Sequence, residues 1–266
     1  MIRPRTLREG TEAHYREPRY YDQAYRRRRH DVRFYVEQAA RFGAPVLELG
    51  VGTGRVALAL VESGHEVVGV DRMRAMLDRA EARLERLPKA ARARAELAEG
   101  DLRTLRLRRR FPLVISPFNV FMHLYTREDI EAALATARAH LAPEGRFVFD
   151  VLSPDAVALA RDPGKVYRCG HVTRPEDGRR YRYSENFQYD PVSQIQIIRM
   201  IFEDTEEEGR VVQTPLAHRQ FFPAELEALL HYNGLEIEAR YGDFDGRELD
   251  GDAESQIIVA RARGRR

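Results

Sequence analysis

The sequence predicts an α/β fold in which a doubly wound parallel sheet is interrupted by an inserted antiparallel sheet. Three observations carry the prediction. Short apolar runs at 45–49, 66–71, 112–116 and 146–150 alternate with segments whose apolar residues keep helical spacing, and strands alternating with helices build parallel sheets. From Val166 to Phe222 strand signals persist without a helical period, as in antiparallel hairpins. A helical pattern and two strand patterns return after Pro223.

Residues 1 to about 40 are polar, rich in arginine and dotted with tyrosine. Pro45-Val46-Leu47-Glu48-Leu49 reads as a buried strand, and Val56, Leu58, Leu60 and Val61 belong to the helix after it. Glu66 to Val70 is a second strand ending at Asp71. Met73, Met76, Leu77, Ala80, Leu84 and Leu87 keep helical spacing as far as Pro88, which lacks the N–H a helix interior needs. Pro112 to Ser116 is a further strand. Thr126 to Asp129 has the form of a capping box, opening a helix with Ile130, Ala133, Leu134, Ala137 and Leu141 on one face. Gly145 is expected to end that helix before the strand Arg146 to Asp150. In the insertion Tyr181, Tyr183, Phe187 and Tyr189 alternate with polar residues, Asp190-Pro191 marks a turn, and Ile195, Ile197 and Ile201 alternate again. Glu206 to Gly209 reads as an exposed hairpin tip. Pro223 starts a helix that Gly234 stops, and strands at about 235–241 and 255–262 follow.

A length of 266 residues suits one large domain or two small ones. The 44 basic residues face 42 acidic ones, a net charge of +2, which argues against coating nucleic acid or an anionic membrane. No run approaches the roughly 18 apolar residues of a membrane span, and the N-terminus lacks an apolar secretory stretch, so a cytoplasmic protein is expected. Cys169 is the only cysteine, which excludes an intramolecular disulfide framework and a multi-cysteine zinc site. His14, His30, His65, His140, His171 and His231 show no metal-ligand spacing, and no metal is expected.

The chemistry concentrates after the first strand. Gly50-Val51-Gly52-Thr53-Gly54 lies between a strand and a helix, where glycines permit a tight turn and a close ligand approach. Its spacing is G-x-G-x-G rather than the dinucleotide pattern G-x-G-x-x-G. Glu48 precedes the first glycine by two residues, and Asp71 ends the next strand 21 residues beyond Gly50. A carboxylate there suits a bidentate hydrogen bond to ribose hydroxyls. Gly100-Asp101-Leu102 is read as another strand-to-helix connection whose acid would accept from an adenine amine, or serve only as an N-cap.

These residues resemble the class I S-adenosylmethionine-dependent methyltransferases. The match covers ELGVGTGR at 48–55, VVGVD at 67–71, GDL at 100–102, SPFN at 116–119 and LAPEGRFVFD at 141–150. The resemblance implies a seven-stranded Rossmann-like sheet of order 3-2-1-4-5-7-6, its last strand antiparallel. It implies S-adenosyl-L-methionine as cofactor and S-adenosyl-L-homocysteine as product. Gly50, Gly52 and Gly54 would pass under the methionine and ribose parts, with Glu48 toward the ammonium and Asp71 toward the ribose. Met73 and Leu102 would flank the adenine, Asp101 would face its amino group, and Arg72 and Ser116 join the same cofactor set.

Tyr20-Tyr21-Asp22-Gln23-Ala24-Tyr25, followed by Arg26 to Arg29, resembles the N-terminal lid of glycine N-methyltransferase-like enzymes and nucleotide-aminosugar N-methyltransferases. There tyrosines close over the cofactor and an arginine binds its carboxylate. The resemblance assigns Tyr21 and Arg28 to the cofactor and Tyr25 to catalysis, with the register among Arg27, Arg28 and Arg29 open. Ser116-Pro117-Phe118-Asn119 is not the N-P-P-[YF] signature of enzymes acting on base amines or glutamine amides, which lowers those substrates. His123 corresponds to a position near the methyl side of the cofactor, and an imidazole suits proton acceptance near neutrality; a structural or orienting histidine is the alternative. Asn119, His218 and Arg219 are the substrate candidates.

The expected organisation is an N-terminal helical lid at 1–40, a cofactor-binding α/β domain at 41–152 and 223–266, and an inserted antiparallel sheet at 153–222 covering the substrate pocket. The expected activity is methyl transfer by direct displacement to a small molecule, nitrogen ahead of oxygen. The alternatives are an RNA or protein methyltransferase, which would need a basic stripe reaching the pocket mouth, and a non-catalytic S-adenosylmethionine-binding module. The expected partner is a small-molecule substrate, with neither nucleic acid nor membrane, and the expected state is a monomer or homodimer.

Overall fold

The computed structural model describes residues 3–264. Its strands are β1 Val46–Leu49, β2 Val67–Asp71, β3 Ala95–Glu99, β4 Phe111–Ser116, β5 Leu141–Leu152, β6 Tyr167–Thr173, β7 Arg180–Asp190, β8 Ile195–Asp204, β9 Val211–Arg219, β10 Leu235–Tyr241 and β11 Ser255–Ala262. Two compact units emerge from the contacts within the chain. One holds the segment up to Arg27 together with Pro154–Gln220; the other holds Arg28–Ser153 and the residues from Phe221 onward.

The second unit is the α/β body. Its seven strands run in the order β10-β11-β5-β4-β1-β2-β3. The pairings among β5, β4, β1, β2 and β3 are parallel, and β11 is antiparallel to β5 and β10. Once the four inserted strands are set aside, this is the 3-2-1-4-5-7-6 order that the resemblance implied. Side chains alternate across each strand, so neighbours in sequence feed opposite cores. Leu47, Leu49, Val68, Val70, Val114, Phe147 and Phe149 pack with Ile130, Leu134, Leu226 and Leu230 of the helices Arg127–His140 and Pro223–Tyr232. Val46, Val67, Leu113, Ile115 and Val148 pack instead with Phe34, Tyr35, Leu60 and Leu77 of the helices His30–Phe42, Arg55–Glu62 and Arg74–Leu84. With both faces covered, the central strands are mostly apolar, and Glu48 in β1, Ser116 in β4 and Asp150 in β5 are buried polar exceptions.

The first unit carries a four-stranded antiparallel sheet of order β6-β7-β8-β9. Asp190 ends β7, and the exposed tip Glu206–Gly209 separates β8 from β9. Tyr20 packs in this unit with Tyr181, Met200, Phe202 and Leu216.

Four local readings change. Gly145 does not end a helix: the helix stops at His140, and Gly145 lies inside β5. A Cβ there would sit 2.8 Å from the Phe111 carbonyl oxygen, so close strand approach is what requires a glycine. The segment after Gly100 forms a turn rather than a helix, with Thr104 and Leu105 N–H donating to the Asp101 carbonyl. Thr126 caps its helix by accepting from Asp129 N–H at 3.1 Å, but the reciprocal half of the capping box is missing because the Asp129 carboxylate pairs with Arg103. The segment read as 1–40 divides at Arg27 and Arg28, because Phe34, Tyr35 and Ala39 belong to the α/β core.

Candidate active site

The glycine loop leaves the carboxyl end of β1 with positive φ at Gly50 (79°), Gly52 (55°) and Gly54 (77°). At Gly50 space forbids a side chain as well, since a Cβ would meet Val120 Cγ2 at 2.6 Å. Asp71, at the end of β2, ties the loop from the next strand. Its Oδ2 accepts from Gly52 N–H and its Oδ1 from Met73 N–H, each at 2.8 Å. Burial raises the Asp71 carboxyl above its ordinary range, and these backbone donors pull the other way. Glu48 is 2% exposed, and its Oε2 has no hydrogen-bond partner. Burial pushes its carboxyl up to about 8, with the charge of Arg55 opposing. An unmatched buried acceptor is costly, and a cationic donor such as an ammonium would satisfy it. The glycine-rich backbone turn and this orphaned acceptor fit S-adenosylmethionine.

Around the loop, Arg72 is exposed, and Met73 and Leu102 are half-buried. Arg103 spans the Asp101 carboxylate, Nε to Oδ1 at 2.9 Å and Nη2 to Oδ2 at 2.6 Å, and holds it below the usual carboxylate range. An adenine amine would share a carboxylate that Arg103 already engages. Ser116 is buried and donates to the Leu49 carbonyl at 3.1 Å, bracing β4 against the end of β1.

Beyond Ser116 the chain turns sharply. Phe118 and Asn119 both adopt φ of 64°, a conformation that costs non-glycine residues energy. Asn119 is buried with Oδ1 unpartnered, and its carbonyl accepts from Met122 N–H at 2.9 Å, starting the short 3-10 helix Val120–His123. His123 is half-buried, its Nδ1 3.5 Å from the Tyr125 hydroxyl. Asp150 in β5 accepts on one oxygen from the Tyr35 hydroxyl at 2.6 Å and from Phe118 N–H at 2.8 Å.

Asp31, fully buried, binds Arg55 through two hydrogen bonds of 2.7 and 2.6 Å. Arg28 Nε lies 3.4 Å from the same carboxylate. The Arg28 and Arg55 guanidinium carbons stand 4.7 and 5.1 Å from the centre of the Phe118 ring, within cation–π range. Of the run Arg26 to Arg29, Arg28 alone is half-buried and the others are exposed.

Tyr21, Tyr25, His218 and Arg219 lie in the other unit. Tyr21 is buried and Tyr25 half-buried, with ring centres 4.8 Å apart. Buried His14 joins them, its Nε2 3.1 Å from the Tyr25 hydroxyl. His218 is buried, and Arg219 donates to the Gln194 side chain. Burial brings both His14 and His218 down to about 4.

The sequence reading assigned no role to Asp31, Tyr35, Arg55, Asp150 or His14. One signal was present: Asp150 closes an apolar run as Asp71 does. The others depend on partners distant in sequence. Among the described residues, no group of His, Cys, Asp and Glu is placed to hold a metal ion, and no helix is long and apolar enough to cross a membrane.

Residues 46–145 match the family described as "Methyltransferase domain". The chain is 37% identical over 113 residues to a cypemycin N-terminal methyltransferase from a Streptomyces species, covering 42% of this chain and 43% of that protein. It therefore spans under half the length of that relative. It is 27% identical over 242 residues to a glycine/sarcosine N-methyltransferase from Aphanothece halophytica, covering 86% of this chain and 80% of that protein. Among solved structures, the CcbJ methyltransferase from Streptomyces caelestis superposes with a TM-score of 0.76 at 29% identity, covering 88% of this chain and 90% of that one.

Proposed function

We propose that this chain, which carries a class I S-adenosylmethionine-dependent methyltransferase domain, transfers the methyl group to a nitrogen of a small molecule. When bound, the cofactor would supply an electrophilic methyl on a sulfonium; the acceptor lone pair would bond to that carbon as the carbon–sulfur bond breaks, leaving the thioether S-adenosylhomocysteine. The carrying observation is a pair of buried acceptor oxygens at the carboxyl ends of two adjacent strands: Glu48 Oε2 and Asn119 Oδ1, neither with a partner. Such a pair favours donor-bearing ligands, the cofactor ammonium at Glu48 and an amine N–H at Asn119. Arg28, held beside Asp31 and over Phe118, suits the cofactor carboxylate, and Asp71 the ribose. Asn119 orients the amine, and His123 takes the proton that the methylated nitrogen releases. The names of two relatives, a glycine/sarcosine and an N-terminal methyltransferase, support nitrogen as the acceptor atom. The roles implied for Tyr21, Tyr25, His218 and Arg219 form part of the same proposal.

The test is transfer of labelled methyl from S-adenosylmethionine to the small-molecule, protein and RNA fractions of a cell extract. Label in small-molecule amines is the expected result. Label confined to RNA or protein would overturn the acceptor class, and tight cofactor binding without transfer to any fraction would identify a binding module. His123→Ala should reduce the transfer rate while S-adenosylhomocysteine affinity, measured by calorimetry, stays within about twofold; equal losses in both would assign His123 a structural role.

A further inference from the structure

We propose that Asp150, clamped by the Tyr35 hydroxyl, is a positioning residue that holds the Phe118–Asn119 turn in the conformation methyl transfer requires. The inference rests on the methyltransferase reading above. Two consecutive non-glycine residues with φ of 64° persist only where their surroundings over-determine them. Asp150 supplies that restraint, because one carboxylate oxygen accepts both the Phe118 N–H at 2.8 Å and the Tyr35 hydroxyl at 2.6 Å. Asp150 is 1% exposed and Tyr35 fully buried, so water does not replace either bond. The carboxylate is fixed by β5, which pairs Phe149 with Ser116 of β4, and the hydroxyl by the helix His30–Phe42. Three elements distant in sequence thus meet at the Phe118 amide.

The acceptor side of the site begins directly after this amide. The Asn119 carbonyl starts the turn that ends at His123. Val120, between them, lies against Gly50 of the cofactor loop, within 2.6 Å of where a Cβ would stand. A change at Phe118 would therefore move Asn119 and His123 relative to that loop, and misplacement of reacting groups lowers rate more than affinity. The cofactor contacts proposed for Glu48 and Asp71 come from β1 and β2 and do not pass through Asp150; Arg28, which stands over the Phe118 ring, is held separately beside Asp31.

The test measures labelled methyl transfer to the small-molecule extract at saturating S-adenosylmethionine, beside calorimetric S-adenosylhomocysteine affinity. Asp150→Ala should lose about tenfold or more in rate, as expected for removing a hydrogen bond to a charged group, with affinity within about twofold. Asp150→Asn keeps an acceptor oxygen for both donors and should recover most of the rate. Tyr35→Phe removes one clamp and should fall between them; it also decides the matter where Asp150→Ala fails to fold. Wild-type rates in Asp150→Ala or Tyr35→Phe, parallel losses of rate and affinity, or an Asn variant as impaired as Ala would overturn the inference. A wild-type chain that transfers no label overturns the methyltransferase reading and this inference with it, whereas an active chain with indifferent variants overturns this inference alone.

Discussion

Replacing Glu48 with glutamine should change the number of protons released when the cofactor product binds. The Glu48 carboxyl is pushed up to about 8 by burial, so at pH 7 about nine-tenths of ligand-free molecules carry a proton there. An ammonium against Oε2 favours the carboxylate, and binding expels that proton. Calorimetry of S-adenosylhomocysteine at pH 7 in buffers of different ionisation enthalpy should give the wild type about 0.9 more protons released than Glu48→Gln. Titration of the ligand's own amine cancels in the difference. By the same linkage, wild-type affinity should gain nearly tenfold on the variant for each unit from about pH 6 to pH 7.5 and flatten above about pH 8. The sign for stability is opposite. The folded value lies above the ordinary 4.5, so the folded chain binds the proton more tightly. Its contribution is complete below about pH 4.5 and is lost as pH rises through about 8, of order 4–5 kcal/mol in all. Without ligand, Glu48→Gln should therefore gain on the wild type in melting temperature as pH rises through that window. Equal proton release in the two proteins, or wild-type affinity flat across it, would refute the assignment of Glu48 to the ammonium.

Gly50→Ala combines a positive φ with a contact against Val120, and should cost about 1–3 kcal/mol in urea unfolding and weaken S-adenosylhomocysteine binding by calorimetry. Asp31→Ala leaves Arg55, whose side chain is 17% exposed, without its bidentate carboxylate, and should cost about 3–5 kcal/mol of stability, with Asp31→Asn milder by the same unfolding assay. His14 and His218 are held near 4 by burial, against an ordinary 6.5. The folded state therefore excludes their protons, and stability present above about pH 6.5 is lost as pH falls through about 4, of order 3 kcal/mol for each. Melting curves across that range should flatten in His14→Gln.

What was legible in the sequence is what the chain encodes locally. The apolar runs that become β1, β2 and β4 lie buried between two helix layers, so both faces demand the same residue types and the runs stand out. The glycine loop was legible because positive φ and close approach select one residue type at a short spacing. Asp71 was legible because a strand end fixes its place relative to the loop. Gly145 misled, because the same residue type serves a helix stop and a close strand approach, and the contact with the Phe111 carbonyl spans more than thirty positions of sequence. The short run after Asp101 misled because the acid caps a turn and binds Arg103 rather than opening a helix.

Distance along the chain also hid the polar framework of the site. Tyr35 and Asp150 are 115 residues apart, and Asp31 and Arg55 are 24 apart, with no pattern linking either pair. Their pairing nevertheless sharpens the reading of the legible residues. A buried polar group is costly unless it is matched, and the α/β unit matches some of its buried acids itself. Asp31 is satisfied by Arg55 and Arg28, and one oxygen of Asp150 by Tyr35 and Phe118. Glu48 Oε2 and Asn119 Oδ1 are left unmatched at neighbouring strand ends. The acids that the fold satisfies hold the turn and the arginines in place. The oxygens that it does not satisfy mark where a ligand must bring donors, and on the function proposed above the cofactor ammonium and an acceptor amine would bring them.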